Sequence, residues 1–168
     1  TYTRAVTAGA SGLKIGVVKE GFGHANSEAD VDQKVRAAAN ILSECGASVD
    51  EISVPWHLKG LPIWTPIASE GATNQMMHGN GMGTGWEGMY TTSLLDYHAN
   101  WRGRADELSD TLKITMFVGQ YFLKHHRGHY YAKAQNLSRQ LREEYNKVFA
   151  SYDLLLMPTT PMKATPIP

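Results

Sequence analysis

"LKIGVV", residues 13–18, is a short apolar run rich in β-branched side chains and bounded by a polar stretch before it and "KEGFGHAN" after it. Such a run, apolar at nearly every position rather than at alternate ones, predicts a strand covered on both faces. The residues beyond it fix its setting. Ser27 is a candidate N-cap with Asp30 three residues on, and Val31, Val35, Ala38 and Leu42 recur at i, i+4, i+7 and i+11. That is one apolar stripe of a helix, and Gly46 is placed to end it. "ASVDEISV" (47–54) is a second strand, stopped by Pro55. Strand, helix and strand at this spacing predict a βαβ unit over 13–54, with parallel strands and a right-handed crossover.

Working outward, residues 1–12 are small and polar and read as a linker. Residues 55–150 read as mainly helical. Thr65-Pro66 predicts a helix start that runs to about His78, because proline suits the first helical position. A helix from about Arg104 to Leu123 carries Leu108, Leu112, Gly119 and Leu123 on one face. A longer one from about Tyr130 to Ala150 buries Leu137, Leu141, Tyr145 and Val148, with Glu143 and Lys147 ordered as an i, i+4 pair. "YDLLLMPTTP" (152–161) is a last strand ended by prolines, and 152–168 form a terminal strand with a proline-rich loop. The class is α/β: a mixed, largely parallel sheet flanked by helices, in a single segment over 1–168.

Composition narrows the function. Sixteen Lys and Arg balance sixteen Asp and Glu, so overall charge gives no reason to expect nucleic acid or an anionic membrane as partner. No apolar run approaches the ~20 residues of a bilayer span. A lone Cys45 excludes an internal disulfide and fits a cytoplasmic location. The chain begins at Thr1 and ends in a proline-rich stretch at Ile167-Pro168, which suggests either a piece of a longer polypeptide or a processed, trimmed chain with slack ends.

Several motifs compete for chemistry. Gly83-Thr84-Gly85-Trp86-Glu87-Gly88, within the glycine-rich loop 79–88, has G-x-G-x-x-G spacing. A dinucleotide turn needs those glycines directly after a strand and opening a helix. Here they follow a predicted helix, so no cofactor is expected. His125 and His129 are four apart with His126 beside them, but Gly128 intervenes and no third ligand accompanies them. A polar helix–helix junction is the reading, and no metal is expected. No G-x-S-x-G occurs. Ser11 falls in a linker and Ser69 in a helix, Cys45 near a helix end reads as a packing residue, and Asp50-Glu51 and Glu143-Glu144 read as solvated surface. Spacing alone yields no catalytic constellation.

Three stretches together resemble the amidase signature enzymes. "GLKIGVVKEGFG" (12–23) is similar to the strand that follows their catalytic core, "YYAKAQNLSRQL" (130–141) to their Tyr-Tyr-x-Lys-Ala-Gln helix, and "YDLLLMPTTPMKATPIP" (152–168) to their Asp-x-Leu-Leu-x-Pro-Thr-x-Pro strand and loop. Their order and approximate spacing match too. The helix motif also occurs in the A subunit of glutamyl-tRNA amidotransferase, while "PWH...IW...ASEGATNQM" most resembles amidases that accompany nitrile hydratases.

The resemblance implies hydrolysis of carboxamides to acids and ammonia by a Ser nucleophile, a second Ser and a Lys base. The regions carrying those groups lie upstream of "GLKIGVV" in the family, so no residue here inherits a catalytic role, Lys14 and Lys19 included. The resemblance also makes the segment scaffold and pocket wall, with Trp86, Tyr90 and Thr159 as candidate contacts to a small-molecule amide. Against each stands the plainer reading of a loop side chain packing on its own chain. A segment of a larger sheet would expose edges and an apolar face, favouring a homo-oligomer. A non-catalytic binding module on the same scaffold is the rival reading.

Overall fold

A computed structural model describes residues 3, 7–83, 85 and 87–167. Its order is β1 (Lys14–Val18), α1 (Ala29–Glu44), β2 (Ser48–Ile52), α2 (Gly60–Gly71), α3 (Thr92–Ala99), α4 (Asp110–His126), α5 (His129–Phe149) and β3 (Leu154–Leu156). The chain divides into two compact units, one of residues 1–59 and 141–168 and one of residues 60–140.

The first unit is built on a parallel sheet of order β2-β1-β3. Ile15 lies opposite Val49 on one side and Leu154 on the other. The unbroken apolar run is explained by this central place: Ile15, Gly16, Val17 and Val18 are all buried, whereas β2 and β3 are half-buried or exposed edges. Backbone bonds extend the pairing, with Ser48 N–H donating to Leu13 O and Asp153 N–H to Lys14 O, each at 2.8 Å. The side chain of Asp153 returns the bond, its Oδ2 accepting from Lys14 N–H at 2.8 Å.

Between the strands, α1 presents its expected stripe, with Val31, Val35, Ala38 and Leu42 half-buried and Ala39 buried. Its ends differ in detail from the sequence reading. The N-cap is Glu28, not Ser27, whose Oγ instead accepts the His24 N–H at 2.9 Å and so closes the preceding turn. Cys45 is the C-cap and is exposed rather than packed. Gly46 ends the helix at φ 91°, a left-handed conformation that glycine adopts without strain.

The second unit is helical. Here α2 begins at Gly60, five residues before the predicted start, so Pro66 lies inside it. The helix tolerates this because the carbonyl left without an i+4 donor belongs to Pro62, in its first turn. Thr65 is no cap: its Oγ1 donates to Leu61 O at 2.8 Å. The helix then loosens into a π-helical turn over Ala72–His78, reaching the predicted end by a wider coil.

Two further differences concern the stretch after the glycine-rich loop. The sequence reading contains no helix at Thr92–Ala99, and starts the next one too early. Asn100–Glu107 is 3₁₀, kinked at Arg104. The true start is set by Ser109, whose Oγ accepts the Leu112 N–H at 3.3 Å, so α4 begins at Asp110. Leu112 and Leu123 are half-buried on α4 and Gly119 is fully buried.

Arg127 (φ 53°) and Gly128 (φ 77°) then break the chain in the left-handed region before α5. His125 and His129 therefore belong to different helices, which removes the shared face their spacing suggests. They join an aromatic junction in which His125 lies tilted against Tyr121 at 4.6 Å and His126 meets Tyr130 edge-to-face at 4.9 Å between ring centroids. On α5, Leu137, Leu141, Tyr145 and Val148 form the half-buried stripe as expected. Lys147 pairs with Glu144 at 2.7 Å rather than with Glu143.

Candidate functional site

The glycine-rich loop starts where the π-helical turn ends. Gly79 N–H donates to Asn74 O at 2.9 Å and Gly81 N–H to Gln75 O at 2.8 Å, and the chain then turns through left-handed Asn80, Gly81, Gly83 and Gly85. The loop thus leaves a helix end and does not open from a strand. The last carbonyls of the turn, those of Met76, Met77 and His78, are taken by the segment beyond the loop. His98 Nε2 is 2.7 Å from Met76 O, Trp101 Nε1–H donates to Met77 O at 3.0 Å, and Arg102 reaches His78 O at 3.2 Å and Asn80 Oδ1 at 2.8 Å. A guanidinium at the carbonyl end of a helix also complements its dipole. These bonds hold both stems of the loop.

The predicted pocket residues fall as follows. Trp86 lies outside the described residues. Tyr90 is exposed and its hydroxyl donates to Gly83 O at 3.1 Å, across its own loop. It lines an open cavity of about 320 Å³ with Met82, Met89, Leu94 and Leu95, a largely apolar surface with a phenol at its edge. A larger open cavity, about 630 Å³, lies beside it in sequence, against Tyr97, His98, Trp101, Arg104 and Glu107. Thr159 is exposed in the proline loop of the other unit. That loop is anchored to the start of α1: Glu28 N–H donates to Pro161 O at 2.8 Å, and Lys163 Nζ pairs with Glu28 at 2.8 Å and Asp30 at 2.7 Å. Hydrogen bonding to Asp30 and Glu28 raises the Lys163 ammonium above its ordinary range.

A polar cluster in the first unit escapes sequence reasoning. Glu20 accepts from Ser53 Oγ at 2.5 Å and from Val54 N–H at 2.8 Å. Burial pushes its carboxyl up, while those two bonds, a bond to its own backbone and the nearby His57 pull it down, leaving the group below the usual glutamate range. Nearby, His57 Nδ1 and the Tyr145 hydroxyl share a 2.6 Å hydrogen bond. Burial lowers the His57 imidazole, His24 lowers it further, and Glu20 opposes both. Burial, with Glu20, raises Tyr145. A protonated phenol can thus donate to a neutral ring, tying the turn at 55–59 to α5. The partners are 88 residues apart, so neither periodicity nor a local motif could pair them; the only signal was a His directly after Pro55-Trp56.

The chemistry available here is limited. Among the described residues, no Ser or Cys side chain is hydrogen-bonded to a His or Lys side chain. Ser69 Oγ donates to Thr65 O at 2.9 Å, and Ser53 faces an acid rather than a base. Acyl transfer needs a nucleophile, its base and oxyanion donors around one carbonyl.

The His57 pair gives a pH prediction. A histidine whose folded pKa is depressed leaves the unfolded chain binding more protons, so its contribution to stability is complete above the unfolded value near 6.5 and is lost as pH falls below it. Thermal unfolding of the protein is therefore expected to shift downward between pH 7.5 and 5.5, and His57→Gln to reduce that shift. An identical pH profile in the variant would contradict the assignment.

The family model described as "Amidase" matches residues 1–168. The chain is 38% identical over 165 residues to an enantioselective amidase of Rhodococcus rhodochrous, covering 98% of this chain and 32% of that protein. It is 33% identical over 164 residues to the A subunit of the glutamyl-tRNA(Gln) amidotransferase of Acaryochloris marina, covering 97% of this chain and 33% of that one. In fold it is similar to the crystal structure of a bacterial aryl acylamidase of the amidase signature family, with TM-score 0.65 and 21% identity over 96% of this chain and 30% of that chain. The chain thus spans about a third of the length of the curated relatives it matches.

Proposed function

This chain belongs to the amidase family, and we propose that the protein carrying it hydrolyses carboxamides to a carboxylic acid and ammonia. In this reading residues 1–168 supply scaffold and a wall of the substrate pocket, and the serine nucleophile, second serine and lysine base lie elsewhere in the whole protein. The observation that carries it is the match over the entire chain, together with 38% identity to a protein named for amidase activity.

Tyr90, on an apolar cavity beside the glycine-rich loop, and Trp86 within that loop are proposed as substrate contacts, because aromatic groups on apolar walls suit the acyl portion of an amide. Thr159 is proposed as a polar contact from the proline loop. A cytoplasmic location belongs to the same proposal.

The test is ammonia release from a panel of aliphatic and aryl carboxamides. The whole protein should turn over at least one of them, and the 168-residue chain alone none. Tyr90→Ala in the whole protein should lower kcat/KM about tenfold, corresponding to about 1.4 kcal/mol of transition-state binding. Turnover by the isolated chain, or inertness of the whole protein toward every amide, would overturn the proposal.

A further inference from the structure

The cavity beside Tyr90 is walled by two segments: Gly81, Met82 and Gly83 of the glycine-rich loop, and Leu94 and Leu95 of α3. The loop wall has little backbone support of its own. Among the described residues between the π-helical turn and α3 there is no helix or strand. Gly81 and Gly83 are both left-handed, and glycine leaves such a stretch wide conformational freedom. Its far end is tied by the Tyr90 hydroxyl to Gly83 O at 3.1 Å.

The near end is tied by one side chain from beyond α3. Arg102 Nη1 donates to Asn80 Oδ1 at 2.8 Å and its Nη2 to His78 O at 3.2 Å, with longer contacts to Ala99 O and Met77 O, each at 3.4 Å. Its Cζ lies 4.9 Å from the centroid of the Trp101 ring, which braces the guanidinium. Asn80 directly precedes the loop wall and is left-handed at φ 52°, a conformation asparagine tolerates better than most residues. His98 and Trp101 bond only to carbonyls of the π-helical turn, so of the three it is Arg102 that grips the loop itself. Two nitrogens of a rigid fork reach Asn80 and His78 at once, which the single nitrogen of a lysine does not reproduce.

We infer that Arg102 is a positioning residue for substrate selection: by fixing Asn80 it holds the 81–83 wall in place and sets which acyl groups the cavity admits. The inference rests on the amidase reading above, with Tyr90 at the acyl end of the amide. Arg102 does not itself line the cavity, so it acts through the order of the loop. A wall already in place costs nothing to arrange when substrate arrives, whereas a freed wall must be ordered by the substrate and weakens its binding. That cost falls on amides whose acyl group needs the wall. An apolar cavity of about 150 Å³ already accepts a benzene ring, so about 320 Å³ has room for the ring of phenylacetamide. The methyl group of acetamide touches far less of it.

The experiment measures kcat and KM of the whole protein for acetamide and phenylacetamide, together with hydrogen exchange over residues 79–91 followed by mass spectrometry. Arg102→Met keeps an apolar stem beside Trp101 but donates nothing. It should lower the selectivity for phenylacetamide over acetamide about tenfold, with the loss in KM rather than kcat. Exchange over 79–91 should quicken while α5 exchanges as in the parent. Asn80→Gly keeps the left-handed turn without the acceptor and should move selectivity the same way, which preserves the test if Arg102→Met fails to fold. Asn80→Asp retains an acceptor for the guanidinium and should retain the parent's selectivity. Equal losses on both amides, a loss in kcat alone, parent-like selectivity in Arg102→Met, or a loss in Asn80→Asp matching that in Asn80→Gly would each overturn the assignment. Unchanged exchange over 79–91 would overturn it too, and needs no turnover to be seen. A parent inert toward every amide, with exchange still quickened in Arg102→Met, would instead reject the amidase reading and the selectivity role that rests on it.

Discussion

Gly119→Ala should destabilise the helical unit by roughly 3 kcal/mol or more, at or beyond the upper end of ordinary overpacking. The residue is buried in the middle of α4, where α2 crosses it. A Cβ built at Gly119 falls onto the backbone carbonyl of Ser69, inside any permissible contact, and onto Thr73 Oγ1. The carbonyl belongs to the main chain of α2 and cannot rotate aside, and Thr73 is itself 1% exposed. Relief requires the two helices to move apart, with loss of contacts along the whole crossing. At an open helical position the expected sign is the opposite, since alanine is favoured over glycine there by about 1 kcal/mol. Gly103 has nothing within 4 Å of its Cβ position, so Gly103→Ala should be neutral or mildly stabilising. Denaturant midpoints followed by tryptophan fluorescence would compare the two. A Gly119→Ala loss below about 1 kcal/mol would mean that α2 and α4 are not packed as described.

Gly119 also shows how far the sequence can be read. Its spacing places it on the buried face of a helix, which is correct, but nothing local indicates that a backbone carbonyl fills the space of its missing side chain. The same boundary recurs elsewhere. The β1–α1–β2 unit is legible because its signals are periodic and short-range: a continuous apolar run, a stripe at i, i+4 and i+7, and a glycine at the stop. By contrast α3 is not, since "TSLLDYHA" has no buried residue and is held by its own His98 and the following Trp101, which bond carbonyls of the π-helical turn. Pro66 fits the rule for a helix start, yet proline is also tolerated one turn further in, where the carbonyl it frees belongs to the first turn.

The polar sites depend on partners still more distant. Glu70 meets Tyr131 across 61 residues and His57 meets Tyr145 across 88. Resemblance to a family locates the motifs around these residues without revealing either bond. Of the three proposed pocket residues, the structure describes Tyr90 and Thr159. It gives Tyr90 a hydroxyl bond to Gly83 that the sequence could not supply.

Ile15→Ala should cost the sheet unit about 2–5 kcal/mol, while Leu154→Ala, which removes the same number of carbons, should cost about 1 kcal/mol. The two residues are paired in register on adjacent strands, so the chemistry removed is closely matched and only the environment differs. Ile15 is 2% exposed, on the central strand with a neighbour on each side; Leu154 is 49% exposed on the edge. At Ile15 the deleted atoms leave a cavity that paired strands on both sides prevent from collapsing, so a cavity penalty adds to the lost transfer free energy. At Leu154 much of the side chain already touches water, and solvent can fill what is removed. The ratio of the two losses therefore measures the strand order itself. Near-equal losses in urea-unfolding experiments would place β1 at an edge and refute the β2-β1-β3 sheet.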